Sequence, residues 1–291
     1  MGKNQVVSGK TKNSLDLTIV IPCADDLLLT RCLDSIDEEV EIIVALNGAT
    51  DAVRQLVIER HVNYCELPEK NLGAACDIGV RAAKTSSVLL MNSDCTFARG
   101  TIKRLAEALD HNMVARGRVI FGIRDPISRI IAKAREYAHT RPDRAYQPAL
   151  AFRKEIIGLI GGYYFDSDIH WTEDADFSRR VKAAGIPIAF LPDAIVYHPP
   201  LSLQEDLRSA VRYGIGRRIA EEKRLVGTYP PFRPYPRKVM KAISDVARDK
   251  GLAVALYVHG PWLFAFSVGY LSQKLFRIHK PNVLVVHQQN R

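Results

Sequence analysis

Leu17-Thr-Ile-Val-Ile-Pro22, Glu41-Ile-Ile-Val-Ala-Leu46 and Ser87-Val-Leu-Leu-Met91 are three short, nearly unbroken apolar runs. Aliphatic and β-branched runs of this length read as strands buried on both faces, the habit of a parallel sheet. Between and after them lie segments with helical spacing, Leu27 to Ile36, Asp51 to Glu59, Leu72 to Lys84 and Gly100 to His111. Strands alternating with helices predict an α/β protein. Each run ends in a turn, at Pro22, at Asn47-Gly48 and at Asn92. The three junctions then share the carboxyl edge of the sheet, where open α/β sheets bind ligands.

With 291 residues, 47% hydrophobic and 25% charged, the chain has the composition of a globular protein, which excludes disordered and collagen-like classes. Its net charge of +9 favours an anionic partner: nucleic acid, an acidic membrane surface or a phosphorylated small molecule. The five cysteines (Cys23, Cys32, Cys65, Cys76, Cys95) contain no C-x-x-C pair, so neither a disulfide framework nor a zinc module is expected, and a reducing, cytosolic compartment is. Residues 1–14 are polar throughout and read as a loose tail with no secretory signal. Gly9-Lys10-Thr11 lacks the earlier glycine of a phosphate-cradling loop, and Gly214-Ile-Gly216 lacks the third glycine of a dinucleotide fingerprint. Neither H-E-x-x-H nor G-x-S-x-G occurs, so ATPase, dehydrogenase, zincin and esterase chemistries have no support.

The pattern changes after about residue 225. Residues 226–237 hold four prolines in twelve positions and read as a linker or strap. Lys238 to Lys250 is short and basic, and Gly251 to Gln273 contains no Asp, Glu, Lys or Arg. At about 1.5 Å per residue a helix of that length reaches across a bilayer core of about 30 Å. Three readings stay open: a kinked, surface-lying or re-entrant anchor, a true span, and core or dimer packing. Basic residues on both flanks (Lys250, Lys274, Arg277, Lys280) and the break expected at His259-Gly260-Pro261 favour the first. Residues 205–250 hold twelve Lys/Arg against six Asp/Glu, a balance that suits an anionic leaflet.

Two groups of acids fall where the sheet edge should lie. Val88-Leu-Leu-Met-Asn-Ser-Asp94 runs a strand into Asn92-Ser93-Asp94. One such carboxylate plus a diphosphate is a typical way to hold Mg2+ or Mn2+, while the bland reading is a plain turn. In Trp171-Thr-Glu-Asp-Ala-Asp-Phe-Ser-Arg-Arg180, Glu173, Asp174 and Asp176 fall in the first turn of a helix. Acids favour that position and pair with Arg at i+4. Crowded like charges also raise a carboxylate towards a useful general base, and Trp171 offers a flat apolar face to a sugar ring.

Taken together, I-V-I-P (19–22), E-I-I-V-A-L-N-G-A-T-D (41–51), N-L-G-A-A-C-D-I-G (71–79), L-L-M-N-S-D (89–94), G-G-Y-Y-F-D (161–166) and W-T-E-D-A-D-F (171–177) resemble, in order and spacing, the glycosyltransferase family 2 pattern over about residues 15–220. The resemblance implies a GT-A fold, that is a Rossmann-like, mixed but mainly parallel sheet with flanking helices. It also implies a nucleotide-diphospho-sugar donor, a divalent cation (Mg2+ or Mn2+) and inversion at the anomeric carbon. Carried over by position, Pro22, Cys23, Asp25, Asn47 and Asp51 would hold the nucleoside, with Gly73 and Asp77 beside it. Asn92, Ser93 and Asp94 would stand for the D-x-D element, Asp94 with the cation, and Asp174 of the Glu173-Asp174 pair would be the base. His198, in V-Y-H-P-P, sits where some members have a further metal or diphosphate contact, against the bland reading of a structural histidine. Arg217 and Arg218 would meet the leaving diphosphate, or form a plain surface face.

Three positions depart from the family pattern: Asn92 for the first Asp of D-x-D, Leu46 for an Asp near the end of the second strand, and Cys76 for an Arg before Asp77. The Q-x-x-R-W signature of processive synthases is missing, since Gln204 to Arg208 has the wrong spacing and no Trp. The expectation is therefore a transferase of one sugar, with 1–14 as tail, 15–225 as the catalytic domain and 226–291 as linker and hydrophobic helical segment. Its acceptor would be a membrane-linked glycan or lipid in cell-envelope glycan synthesis, at the cytoplasmic face of an anionic membrane bound through 251–273, with no nucleic-acid partner. A silent nucleotide-sugar-binding relative and a membrane scaffold are the rival readings.

Overall fold

The computed structural model describes residues 15–169, 171–223 and 236–277, and the side chains of the last stretch from 240 onward. In chain order the elements are β1 (Leu17–Cys23), α1 (Leu29–Asp34), β2 (Glu41–Asn47), α2 (Asp51–Glu59), β3 (Asn63–Leu67), α3 (Leu72–Ala82) and β4 (Ser87–Leu90). Then follow β5 (Thr96–Phe97), α4 (Thr101–Ala108), β6 (Val114–Phe121), α5 (Pro126–His139), β7 (Leu150–Arg153), α6 (Glu173–Ala183) and β8 (Ile188–His198). The chain continues through α7 (Leu203–Glu222), α8 (Pro236–Lys250), α9 (Leu252–Tyr257) and α10 (Leu263–Phe276).

The strands form one sheet in the order β3-β2-β1-β4-β7-β6-β8-β5. The four strands from β3 to β4 are mutually parallel, as the apolar runs predict. β7 breaks that rule: it lies antiparallel to both β4 and β6. Leu150, at its start, pairs with Leu90, at the end of β4. The segment feeding β7 therefore arrives at the edge where β4 leaves, and no local pattern in the sequence announces this.

Every residue of β1 is buried because helices cover both faces. Leu29 and Cys32 of α1, Val53 and Val57 of α2, and Ile102 and Leu105 of α4 pack on Ile19, Ile21 and Leu89. On the other face Cys76 and Val80 of α3 and Phe177 and Val181 of α6 pack on Val20, Val88 and Phe152. Each such side chain contributes about 1.5–3 kcal/mol by leaving water. The Phe152 and Phe177 rings meet at 4.9 Å and seat α6 with its first turn at the carboxyl edge.

α7 opens on the capping box Ser202-x-x-Glu205, the Ser202 and Glu205 side chains each bonding the other's backbone N–H. It is covered by α10 at glycine-to-backbone distance. A Cβ on Gly214 would sit 2.0 Å from the Phe266 carbonyl oxygen, and one on Gly269 1.9 Å from that of Val211. Buried polar groups tie the layers. Asp206 accepts from Arg135 Nε of α5 and from the Tyr257 hydroxyl of α9, both at 2.5 Å, and Glu221 accepts from the Tyr270 hydroxyl at 2.5 Å. The helices after 236 are thus built onto α5 and α7. The break expected at His259-Gly260-Pro261 does not occur: one π-helical turn, Val258–Trp262, joins α9 to α10 and absorbs the missing proline N–H. Of the proline-rich strap, residues 226–235 lie outside the described residues, and Pro236 begins α8.

Candidate active site

β4 gives way to a tight turn in which the Cys95 N–H donates to the Asn92 carbonyl at 3.2 Å, and this turns Asp94 out at the carboxyl edge. His198 closes β8 beside it, with Nε2 3.3 Å from Asp94 Oδ2. His198 Nδ1 lies 2.8 Å from the Pro199 carbonyl. A carbonyl only accepts, so Nδ1 carries the hydrogen, and Nε2 is the ring nitrogen that faces the carboxylate. A ring whose far nitrogen is fixed by a carbonyl is how metal-binding histidines are oriented, and Nε2 and Asp94 Oδ2, 3.3 Å apart, are placed to share a cation. The Phe121 ring, its centroid 4.9 Å away and tilted by 32°, packs against the His198 ring. Ser93 donates to Asp26 at 3.4 Å, and burial, with Asp94 nearby, raises the Asp26 carboxyl.

The second corner is the first turn of α6. Glu173 is buried; its Oε1 accepts from Gln147 Nε2 at 3.4 Å, and Oε2 has no hydrogen-bond partner among the described residues. Asp174 Oδ2 accepts from the Gln147 N–H at 3.3 Å. Burial pushes the Asp174 carboxyl up to about 6, against the pull of that N–H and of Arg116, and burial beside Asp174 raises Glu173 as well. A carboxylate near 6 is poised to take a proton at neutral pH. Asp176 differs: Arg179 and Arg180 both hold it at 2.7 Å, and Arg180 also donates to the carbonyls of Ile160 and Tyr163. The i,i+4 pairing read from the sequence is present, and its work is to pin the 160–164 turn to α6.

One wall of side chains joins the corners. From His198 it runs through Phe121 to His139 at 5.6 Å and on to Tyr146 at 6.1 Å, over which the Arg144 guanidinium lies at 5.3 Å. The Arg144 carbonyl accepts from Arg116 Nη1 at 2.7 Å, and Gln147, next to Tyr146, holds Asp174. Arg116, His139, Tyr146 and Gln147 escape a sequence reading because their meeting depends on β7 running backwards. Burial lowers Arg116 to about 10 and holds His139 well below its ordinary range, with Arg116 adding to the effect on His139.

The donor-side residues separate into two sets. Asp25 stands at the edge, paired with Lys70 at 2.7 Å, which holds its carboxyl below the usual range. Asn47 lies at the end of β2 with Oδ1 accepting from the Asn71 N–H at 2.5 Å. Pro22 and Cys23 are buried as the last residues of β1. Asp51 is fully exposed on α2 and bonded to Arg54 at 2.7 Å. Four residues of the expected set have close partners within the fold. A Cβ on Gly73 would meet the carbonyl oxygens of Asp166 and Ile169 at 2.5 Å, so that glycine serves a close backbone crossing. Asp77 accepts from the Phe165 N–H at 3.3 Å and from Arg81 at 2.6 Å. Arg217 and Arg218 bond Glu221 and Glu222 on their own helix, at 3.2 and 3.0 Å. Trp171 packs with Ile169 and Ile215, leaving its ring partly exposed.

Over residues 18–154 the chain matches the family model described as Glycosyl transferase family 2. These residues form a glycosyltransferase family 2 domain that spans just under half of the chain, and the protein is a glycosyltransferase. Solved structures with the same GT-A architecture include TarS 1-349 of S. aureus, at a TM-score of 0.52 and 16% identity over 89% of this chain and 91% of that one. The same TarS fragment in complex with UDP-GlcNAc gives 0.53 at 14% identity over 89% and 91%. The mannosyltransferase PcManGT of Pyrobaculum calidifontis, in complex with GDP-Man and Mn2+, gives 0.59 at 17% identity over 92% and 89%. No curated protein matches the sequence.

Proposed function

We propose that the protein is an inverting, metal-dependent glycosyltransferase that moves one sugar from a nucleotide-diphospho-sugar to an acceptor hydroxyl. The observation that carries this is the continuous wall between an Asp94–His198 corner suited to a cation and a Glu173–Asp174 corner whose acid is poised near 6. Asp174 takes the proton from the acceptor hydroxyl, which attacks the anomeric carbon on the face opposite the departing diphosphate. Gln147 positions Asp174 through its N–H, and Arg116 keeps the carboxylate accessible as an anion. Asp94 and His198 would hold the divalent cation, whose chemistry would be to neutralise charge developing on the diphosphate. The donor class is supported by the family and by the UDP-GlcNAc and GDP-Man in the complexes with TarS and PcManGT.

The acceptor we assign is a membrane-linked glycan or lipid of the cell envelope, met at the cytoplasmic face of the membrane. Leu252–Phe276 is one helix long and apolar enough to span. Leu252, Leu256, Phe264, Val268 and Phe276 stand exposed along it at four-residue multiples, flanked by Lys250, Lys274 and Arg277. Its opposite side is spent on α7 through Gly269. A helix with one face already in protein and the other apolar and basic-rimmed supports attachment in the plane of an anionic leaflet.

The test is a thermal-shift panel of nucleotide-sugars with and without Mn2+, followed by anomeric analysis of the product. A ligand selective for the folded state raises the melting point by mass action. We expect one donor to raise it, more so with Mn2+, and an inverted product. No response to any donor, or a retained configuration, overturns the reading. Asn92 in place of an acid favours one rival, a silent sugar-nucleotide binder, which would show the shift without transfer or donor hydrolysis.

A further inference from the structure

Beside Asp94 and His198 stands a third donor that this scheme does not use. The Cys95 sulfur lies 3.1 Å from Asp94 Oδ1, while His198 Nε2 lies 3.3 Å from Oδ2, and the three residues' donor atoms all fall within 4.8 Å of one another. A buried cysteine at a strand end is ordinarily a small core residue, and Cys95 does share the core with Cys32 and Phe97. Its sulfur nevertheless faces the carboxylate and joins the donor cluster. A tetrahedral ion, with bonds of about 2.3 Å to sulfur and about 2.0–2.2 Å to nitrogen and oxygen, sets its ligand atoms about 3.4–3.6 Å apart. The sulfur and the imidazole nitrogen each lie about that close to one of the two oxygens of the Asp94 carboxylate.

One carboxylate, one imidazole and one sulfur, with a fourth position left for substrate, is a donor set for borderline ions, whereas Mg2+ seeks oxygen ligands throughout. We propose that Cys95 is a protein ligand of the cation at this corner and makes the site select a thiophilic ion, Zn2+ or Co2+, over Mg2+. The proposal rests on Asp94 and His198 being cation ligands. On binding, the Cys95 thiol gives its proton to solvent and the thiolate takes its place in the coordination shell.

The experiment is a titration of the full chain with Co2+, read by absorbance, alongside Mn2+ binding read by electron paramagnetic resonance. Wild type is expected to show a sulfur-to-cobalt charge-transfer band in the near ultraviolet that Cys95→Ser lacks. Competition of Zn2+ against Mg2+ should lose about tenfold or more of its preference in Cys95→Ser, no less than follows removal of an outer-shell partner of a ligand. Cobalt binding without the band in wild type, or a band that persists in Cys95→Ser, overturns the proposal. Cadmium-113 resonance of the wild type asks the same question without a variant: a shift typical of oxygen and nitrogen ligands alone overturns it too. Mn2+ binding unchanged in Asp94→Asn would instead overturn the underlying cation site, so the two failures are distinguishable.

Discussion

The carboxyl edge of the sheet and the α7–α10 interface both carry wholly or partly buried carboxylates, and they treat them in opposite ways. At the interface Asp206 has Arg135 and the Tyr257 hydroxyl at 2.5 Å, and Glu221 has Arg217 at 3.2 Å and Tyr270 at 2.5 Å. At the edge Asp174 receives a backbone N–H at 3.3 Å and no salt bridge among the described residues, and Asp94 faces a ring nitrogen at 3.3 Å. α6 repeats the contrast within one turn, since Asp176 is clamped by two arginines while Asp174 is not. A charge pair completed by hydrogen bonds fixes neighbours in place, whereas a buried carboxylate left short of cations has the raised affinity for protons that chemistry uses.

That contrast breaks first if Asp174→Asn is harmless. We expect turnover to fall about 10²–10⁴-fold, the usual contribution of a positioned base, with donor affinity by calorimetry unchanged. Stability should move the other way. The folded state holds the Asp174 proton up to about pH 6 against an ordinary value of 3.8, so wild type loses stability as pH rises between those values. Denaturant melts should therefore find Asp174→Asn the more stable protein above pH 6, the difference vanishing in acid. At the interface the expectation is reversed. Arg135→Met strands a buried Asp206 and should lose about 3–5 kcal/mol while the folded fraction keeps its kcat. Gly269→Val, with a Cβ 1.9 Å from the Val211 carbonyl, should lose at least about 1–3 kcal/mol by overpacking. The smallest effect on folding belongs to Phe264→Ser with Phe276→Ser, within about 0.5 kcal/mol because both are exposed. If that pair still floats with anionic vesicles as wild type does, the membrane assignment falls.

Much of the edge is legible in the sequence because apolar runs ending in polar turns place their junctions together: Pro22 lies one residue before the end of β1, Asn47 ends β2 and Asn92 follows β4. The motif around Asp94 lies within the residues that match the family, whereas Glu173-Asp174 lies beyond them. What spacing cannot convey is which motif residues the fold itself consumes. Gly73 and Asp77 sit in the same register as ligand-binding positions, yet both are spent on the 165–169 segment. Arg217 and Arg218, which read as diphosphate contacts, bond acids four residues further along their own helix. Arg116 and Gln147 carried no signal, since only the antiparallel β7 brings them under Asp174.

The central claim is that Asp174 works as the base in a site that burial keeps near pH 6. Measuring kcat/KM against pH in wild type, with the donor found by thermal shift, tests it directly. The rate should climb with pH and level off above an apparent pKa of about 6, a limb absent from the residual activity of Asp174→Asn. A profile flat from pH 4.5 to 8, or the same limb in the variant, would contradict it.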